Sequence, residues 1–235
     1  MNIVIGPPGT GKTSTLLGLV EENLEKGVDP TDIGYFAFTN RAADEAKERA
    51  FERFHFGNDN LPFFRTLHSL AFQQLGLSRS QVFNEDQRKE FGNLMGLEIT
   101  GRSSFEEGSF AFSKKGDQIL SIIEVARVRG ITARQQWHKE SLDISWFEIE
   151  RAERGLAEFK KIRNLYDFTD MLSLFISEDV APKLEIIFID EAQDLSFLQW
   201  QLVFELRKLC NRMYIAGDDD QAIFRWAGAD VNNFL

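Results

Sequence analysis

The run GPPGTGKT at residues 6–13 constrains this chain more than any other feature. It follows MNIVI, a β-branched apolar run that reads as a buried strand. It precedes STLLGLVEENLEKG, in which Leu16, Leu17, Val20 and Leu24 fall on one helical face. Strand, glycine-rich turn and helix together are the context a phosphate-binding loop requires. Gly6, Gly9 and Gly11 permit backbone conformations closed to residues with a Cβ, so successive amide N–H groups can turn toward an anion. The helix beginning near Lys12 adds the positive end of its dipole. In this pattern Pro7, Pro8 and Thr10 complete the loop, the Lys12 ammonium reaches the β- and γ-phosphates, and the Thr13 hydroxyl ligates Mg²⁺. A nucleoside triphosphate is the expected ligand.

Further along, IGYFAFT reads as a second strand and NRAADEAKERAFERF as a helix with Ala43, Ala46, Ala50 and Phe54 on one face. LPFFRT is short enough for a strand and leads into a helix through LHSLAFQQL. From Gly76 to about Leu165 the texture changes to polar helices and the loop-like TGRSSFEEGS. One of these helices, over about 146–163, carries Ile149, Ala152, Leu156, Phe159 and Ile162 at helical spacing. KLEIIFIDEAQD then returns to a buried strand, FLQWQLVFELRKLC to a helix and RMYIAGD to another strand. Strands alternating with helices predict an α/β fold with a parallel sheet, and the middle block reads as a mostly helical insertion. The expected division is 1–76 with 166–235 as one domain and 77–165 as the inserted subdomain.

The apolar run IIFI ends in Asp190-Glu191, which places two carboxylates at the C-terminal edge of a sheet, where open α/β folds bind their ligands. Asp190 is suited to hold Mg²⁺ and Glu191 to orient and deprotonate an attacking water. Capping of the following helix is the plainer use of such residues. Asp190 lies 178 positions after Lys12. GPPGTGKT by itself is similar to the loop of AAA+ ATPases, whose acidic strand follows much sooner, so the long gap requires an inserted domain.

At 235 residues and 43% apolar, the chain can bury a substantial core. No run approaches a membrane span. The single cysteine, Cys210, reads as a buried helical thiol and fits a reducing, cytoplasmic setting. The net charge of −10 argues against coating nucleic acid by bulk attraction. Residues 114–163 run against that balance with 11 Lys/Arg and 8 Asp/Glu, an excess that permits a phosphate-facing patch but is equally a solvated helical surface.

Beyond the loop, FTNRAADEA (38–46), TLHS (66–69), YDFTDML (166–172), DEAQD (190–194) and GDDDQAIFRWAGAD (217–230) together resemble, in order, the motifs of the UvrD/Rep family of superfamily 1 DNA helicases. The resemblance implies a P-loop NTPase with a RecA-like first domain carrying a helical subdomain, and ATP with Mg²⁺ as cofactors. It implies a Gln221 that contacts the γ-phosphate and the attacking water. It implies single-stranded DNA as partner, met by Phe38, Thr39, Asn40, Thr66, His68, Phe224 and Trp226; aromatic side chains of this kind stack on bases. Core packing is the alternative for the aromatics and a buried, bonded ring for His68. Asp170 reads as a structural residue bonding backbone amides. Phe224 stands where the family usually has Tyr, and Ala227 where it mostly has Arg. The family's adenine-reading glutamine motif has no counterpart in the few residues before Gly6. The second RecA-like domain, source of the family's arginine fingers, is expected to be a partner beyond Leu235. A stand-alone P-loop ATPase and a nucleotide-gated binding module without useful catalysis are the competing readings.

Overall fold

The computed structural model describes residues 2–6, 10–54, 61–101 and 114–218. These divide into two compact units, 1–76 with 172–235 and 77–171. The return to the first unit falls at Leu172, later than the expected 166, because Tyr166, Asp167 and Asp170 bond to partners in 77–171.

The first unit is built on a five-stranded, wholly parallel sheet: β1 (Asn2–Ile5), β2 (Ile33–Ala37), β3 (Phe64–Thr66), β4 (Leu184–Ile189) and β5 (Cys210–Gly217). The spatial order is β1-β5-β4-β2-β3. Helices α1 (Lys12–Glu25), α2 (Asn40–Phe54) and α3 (Leu67–Gln74) connect the early strands. The sequence explains the strands directly: β2 is buried at every position and β4 at all but one, as parallel strands covered on both faces must be. The expected apolar face of α1 is present, with Leu16, Leu17 and Val20 buried, and so is the alanine face of α2. Both pack into a core with Tyr35, Phe64, Ile186 and Phe188.

Cys210 is buried but stands at the start of β5, paired in register with Leu184 of β4, rather than in a helix. The helix that the pattern extended to it, α9 (Phe197–Lys208; α4 to α8 precede it in the chain), stops short because Cys210 joins the ladder.

The second unit is helical. It holds α4 (Glu85–Met95), α5 (Lys115–Val128), the short α6 (Ala133–Trp137) and α7 (Trp146–Arg163); α8 (Phe168–Ser177) starts here and ends in the first unit. Capping boxes at Asn84, Thr132 and Ser145 start α4, α6 and α7, each worth about 1 kcal/mol. Of the expected stripe on α7, Ile149, Ala152, Leu156 and Phe159 are buried, but Ile162 is 74% exposed. Lys160 is buried in its neighbourhood instead, since its ammonium reaches Asp167 and Asp170, 2.5 Å from each. Arg127 of α5 pairs with the same two carboxylates. The two aspartates also cap each other: the Asp167 amide donates to Asp170 Oδ2 at 2.9 Å, and the Asp170 amide to Asp167 Oδ1 at 2.8 Å.

Candidate functional site

Because all five strands run the same way, the loops after β1, β4 and β5 open at one edge of the sheet. β5 lies between β1 and β4, so the glycine-rich loop and the acidic pair flank the segment that follows Gly217. This edge is where a doubly wound sheet holds its ligand.

Gly11 is left-handed at φ 81°, and a Cβ on Gly6 would stand 2.8 Å from Thr10 Oγ1. Gly11 caps α1 with no side chain, and the first turn of α1 carries no acidic residue. The first amides of that helix therefore face the loop with their partial positive charge uncancelled by a carboxylate. Lys12 Nζ donates to the Gly6 carbonyl at 2.6 Å. Pro7, Pro8 and Gly9 lie outside the described residues.

Thr13 joins the two halves. Its hydroxyl donates to Asp190 Oδ2 at 2.9 Å, bridging residues 177 positions apart. Asp190, 3% exposed at the end of β4, also accepts from the Tyr35 hydroxyl on Oδ2 at 2.6 Å and from the Glu191 amide on Oδ1 at 3.0 Å. Burial, then the Asp190 charge, pushes the Tyr35 phenol well above its ordinary value, so it is a fixed donor. Glu191 takes a left-handed backbone, φ 52° and ψ 43°, a conformation that carries strain in a residue with a Cβ and collects at functional sites. Its carboxylate accepts from Gln193 Nε2 at 2.7 Å, and the same buried amide accepts at Oε1 from the Asp218 N–H at 3.0 Å. Gln193 thus ties the Glu191 carboxylate to the backbone just past β5. Burial, then Glu191, pushes Asp194 up to about 7, and its buried Oδ1 has no hydrogen-bond partner among the described residues.

The donor set suits a triphosphate and a small hard cation. Magnesium usually takes one or two carboxylates together with substrate phosphates, not an all-protein cage. One hydroxyl and one buried carboxylate beside the start of α1 fit that description. Among the described residues no cluster of three or more His, Cys, Asp or Glu could hold a metal by itself.

The residues matched to DNA contact divide. Phe38, Thr39 and Asn40 follow β2, and Thr66 and His68 close β3 and open α3; Ala37 pairs with Thr66 in the ladder, so the two segments are neighbours on the same edge. Thr39 and Asn40 are exposed, Phe38 and His68 half-buried. Thr39 Oγ1 accepts from the Ala42 amide at 3.2 Å. Thr66 is buried, accepts from the Ser69 amide at 3.2 Å as the cap of α3, and lies 3.5 Å from Asn40 Oδ1. Burial pushes the His68 imidazole down to about 4, so it is neutral at pH 7. Gln221, Phe224 and Trp226 lie outside the described residues. Part of the basic block is already paired: Lys114 with Glu98, Lys115 with Glu148, Arg163 with Glu90, and Arg127 and Lys160 with Asp167 and Asp170.

Sequence reasoning passed over Tyr35 and Gln193. Tyr35 sits in an apolar strand and reads as core; only the β2–β4 register, Tyr35 opposite Phe188, brings it to Asp190. Gln193 lay inside DEAQD, where a buried amide two residues past a carboxylate was the available signal.

Comparison with known proteins agrees with this geometry. The family described as UvrD/REP helicase N-terminal domain matches residues 1–235. ATP-dependent DNA helicase Rep of Buchnera aphidicola subsp. Baizongia pistaciae is 24% identical over 251 residues, covering 99% of this chain and 35% of that protein. ATP-dependent DNA helicase PcrA of Bacillus subtilis is 25% identical over 255 residues, covering 99% and 33%. PcrA of Staphylococcus aureus is 24% identical over 254 residues with the same coverage. The chain spans about a third of the length of the curated relatives it matches. Among the described residues no helix is long and apolar enough to cross a membrane. With loop, acidic strand and family match in agreement, the chain belongs to the UvrD/Rep helicases and corresponds to the N-terminal portion of such an enzyme.

Proposed function

We propose that this domain binds ATP with Mg²⁺ and hydrolyses it as part of a motor that moves along single-stranded DNA and unwinds duplex. The observation that carries the reading is the Thr13–Asp190 hydrogen bond, which joins the phosphate loop to the acidic strand at one sheet edge. The loop amides and Lys12 bind the phosphates. Thr13 and Asp190 would hold Mg²⁺, which when bound neutralises charge on the phosphate oxygens. Glu191, held by Gln193, orients a water and takes its proton. Gln221, a few residues beyond the segment that Gln193 ties down, senses the γ-phosphate and that water. The domain therefore contacts ATP from one side. The transition-state charge is met from the other side by arginines of a second RecA-like domain, worth 10³–10⁵ in rate in comparable systems.

DNA is bound along the edge formed by the ends of β2 and β3. Phe38 stacks on bases, His68 contributes a neutral ring, and Thr39 and Asn40 offer polar groups, with Phe224 and Trp226 completing the surface. Thr66 supports this edge as the cap of α3.

The experiment is the ATP hydrolysis rate of residues 1–235 with and without oligo-dT. Binding with very slow turnover is expected. Robust DNA-stimulated turnover at ordinary helicase rates would contradict the need for a second domain.

A further inference from the structure

Tyr35 is wholly buried in β2, stacked on Phe64 at 5.2 Å between ring centroids and on Phe188 at 6.3 Å. Phenylalanine would supply the same packing without a hydroxyl to satisfy. A buried hydroxyl without a partner costs about 1–3 kcal/mol, so what this hydroxyl does decides why the position is tyrosine. It donates to Asp190 Oδ2, the atom that also receives the Thr13 proton. The route is set by the fold: Tyr35 packs in the same core as Leu16, Leu17 and Val20 of α1, and its hydroxyl meets Asp190 beside Thr13, the second residue of that helix.

We propose that Tyr35 is a positioning residue for the metal end of the site, fixing the Asp190 carboxylate so that Thr13 and Asp190 can share a cation. A hydroxyl that ligates a cation through its lone pair must point its proton elsewhere, and Asp190 Oδ2 is the acceptor that takes it. The carboxylate can turn about two side-chain torsions, and Thr13 stands at the end of a glycine-rich loop. Tyr35, locked between two rings on an interior strand, is the rigid member of the trio. With Oδ2 occupied by two hydroxyls and Oδ1 by the Glu191 amide, the carboxylate has one orientation. This inference rests on the proposed ATP–Mg²⁺ reading and adds a residue to it.

The test is binding of a fluorescent ATP analogue by wild type and Tyr35→Phe, in EDTA and across a Mg²⁺ titration. Tyr35→Phe keeps both stacking partners. Its expected signature is a half-saturating Mg²⁺ concentration raised roughly ten- to a hundred-fold, with affinity in EDTA unchanged, as loss of a hydrogen bond to a charged group implies. A purely structural role would instead lower the unfolding temperature and weaken binding alike with and without metal. In an Asp190→Asn background the Tyr35→Phe change should have no further effect on metal dependence. An unchanged or lower half-saturating Mg²⁺ concentration in Tyr35→Phe, or equal loss in EDTA, overturns the proposal. If wild type itself shows no Mg²⁺-dependent binding, the ATP–Mg²⁺ reading fails first. Should Tyr35→Phe not fold, fluorine NMR of fluorotyrosine-labelled wild type reads the same point, since the chain has three tyrosines. Tyr166→Phe and Tyr214→Phe identify the Tyr35 signal. A shift of that signal on adding Mg²⁺ to the nucleotide complex supports the proposal, and no shift overturns it.

Discussion

Two groups of carboxylates in this molecule are held in opposite ways. In the helical unit, Asp167 and Asp170 face Arg127 and Lys160, and Glu124 faces Arg88 at 2.5 Å with both side chains almost wholly buried. In the sheet unit, Asp190 is held by two hydroxyls and an amide, and Glu191 by the amide of Gln193. Burial would raise the Asp167 pKa, but Arg127 and Lys160 outweigh it and hold that carboxyl well below the usual range. Asp194, beside Glu191, is pushed the other way. Charge matched by protein cations is consumed in structure. Charge held by neutral donors is oriented and remains able to meet a cation from outside.

Breaking a matched cluster should have the largest effect. Lys160→Met leaves two carboxylates with Arg127 alone and is expected to cost about 3 kcal/mol or more in urea unfolding, as removal of one buried ion-pair partner does. That difference from wild type should be full above about pH 4 and shrink as pH falls and Asp167 takes up a proton, because its folded pKa is depressed. A loss below 1 kcal/mol would mean that the cluster is solvated and the comparison is wrong.

Asp194 should titrate with the opposite sign. Its folded pKa of about 7 lies above the ordinary 3.8, so the stability it contributes is full below about pH 4 and is lost as pH rises through 7. Asp194→Asn removes this dependence, and its advantage in unfolding temperature over wild type should be larger at pH 8 than at pH 5. An equal difference at both pH values would remove Asp194 from the account.

Asp190→Asn sharpens the contrast further. An amide oxygen still accepts from Thr13 and Tyr35, but the NH₂ no longer accepts from the Glu191 amide, so stability should fall by about 1–2 kcal/mol, less than in Lys160→Met, while Mg²⁺-dependent nucleotide binding is lost. A collapse in stability like that of Lys160→Met would make Asp190 a structural residue. The smallest effect belongs to Lys115→Ala, since Lys115 is exposed in its pair with Glu148: neither the unfolding midpoint nor oligo-dT affinity should move beyond error.

How much of this could be read from residues alone follows from the range of each interaction. The phosphate loop, the buried strands and the α1 and α2 faces are local patterns, and local spacing reports them. The helical insertion was legible from the long gap between Lys12 and Asp190. Interactions set by register were not: Tyr35 reaches Asp190 only because β2 lies beside β4. Nor does helical periodicity tell an inward Lys160 from an outward one, since that depends on Asp167 and Asp170 at the start of the next helix. Ile162 was assigned inward on the same stripe and is exposed. The basic excess of 114–163 permitted a phosphate-facing patch, and a composition count could not see which of its charges are in ion pairs.

The claim that the neutral-donor site is built for ATP with Mg²⁺ is tested most directly by titrating a fluorescent ATP analogue, with Mg²⁺, into wild type, Lys12→Ala and Glu191→Gln. Lys12 supplies charge against the bound phosphates, whereas Glu191 acts on the water. Lys12→Ala should therefore abolish binding, and Glu191→Gln should preserve or tighten it, having lost one negative charge near the triphosphate. Binding unaffected by Lys12→Ala, or weakened as much by Glu191→Gln, would contradict the account.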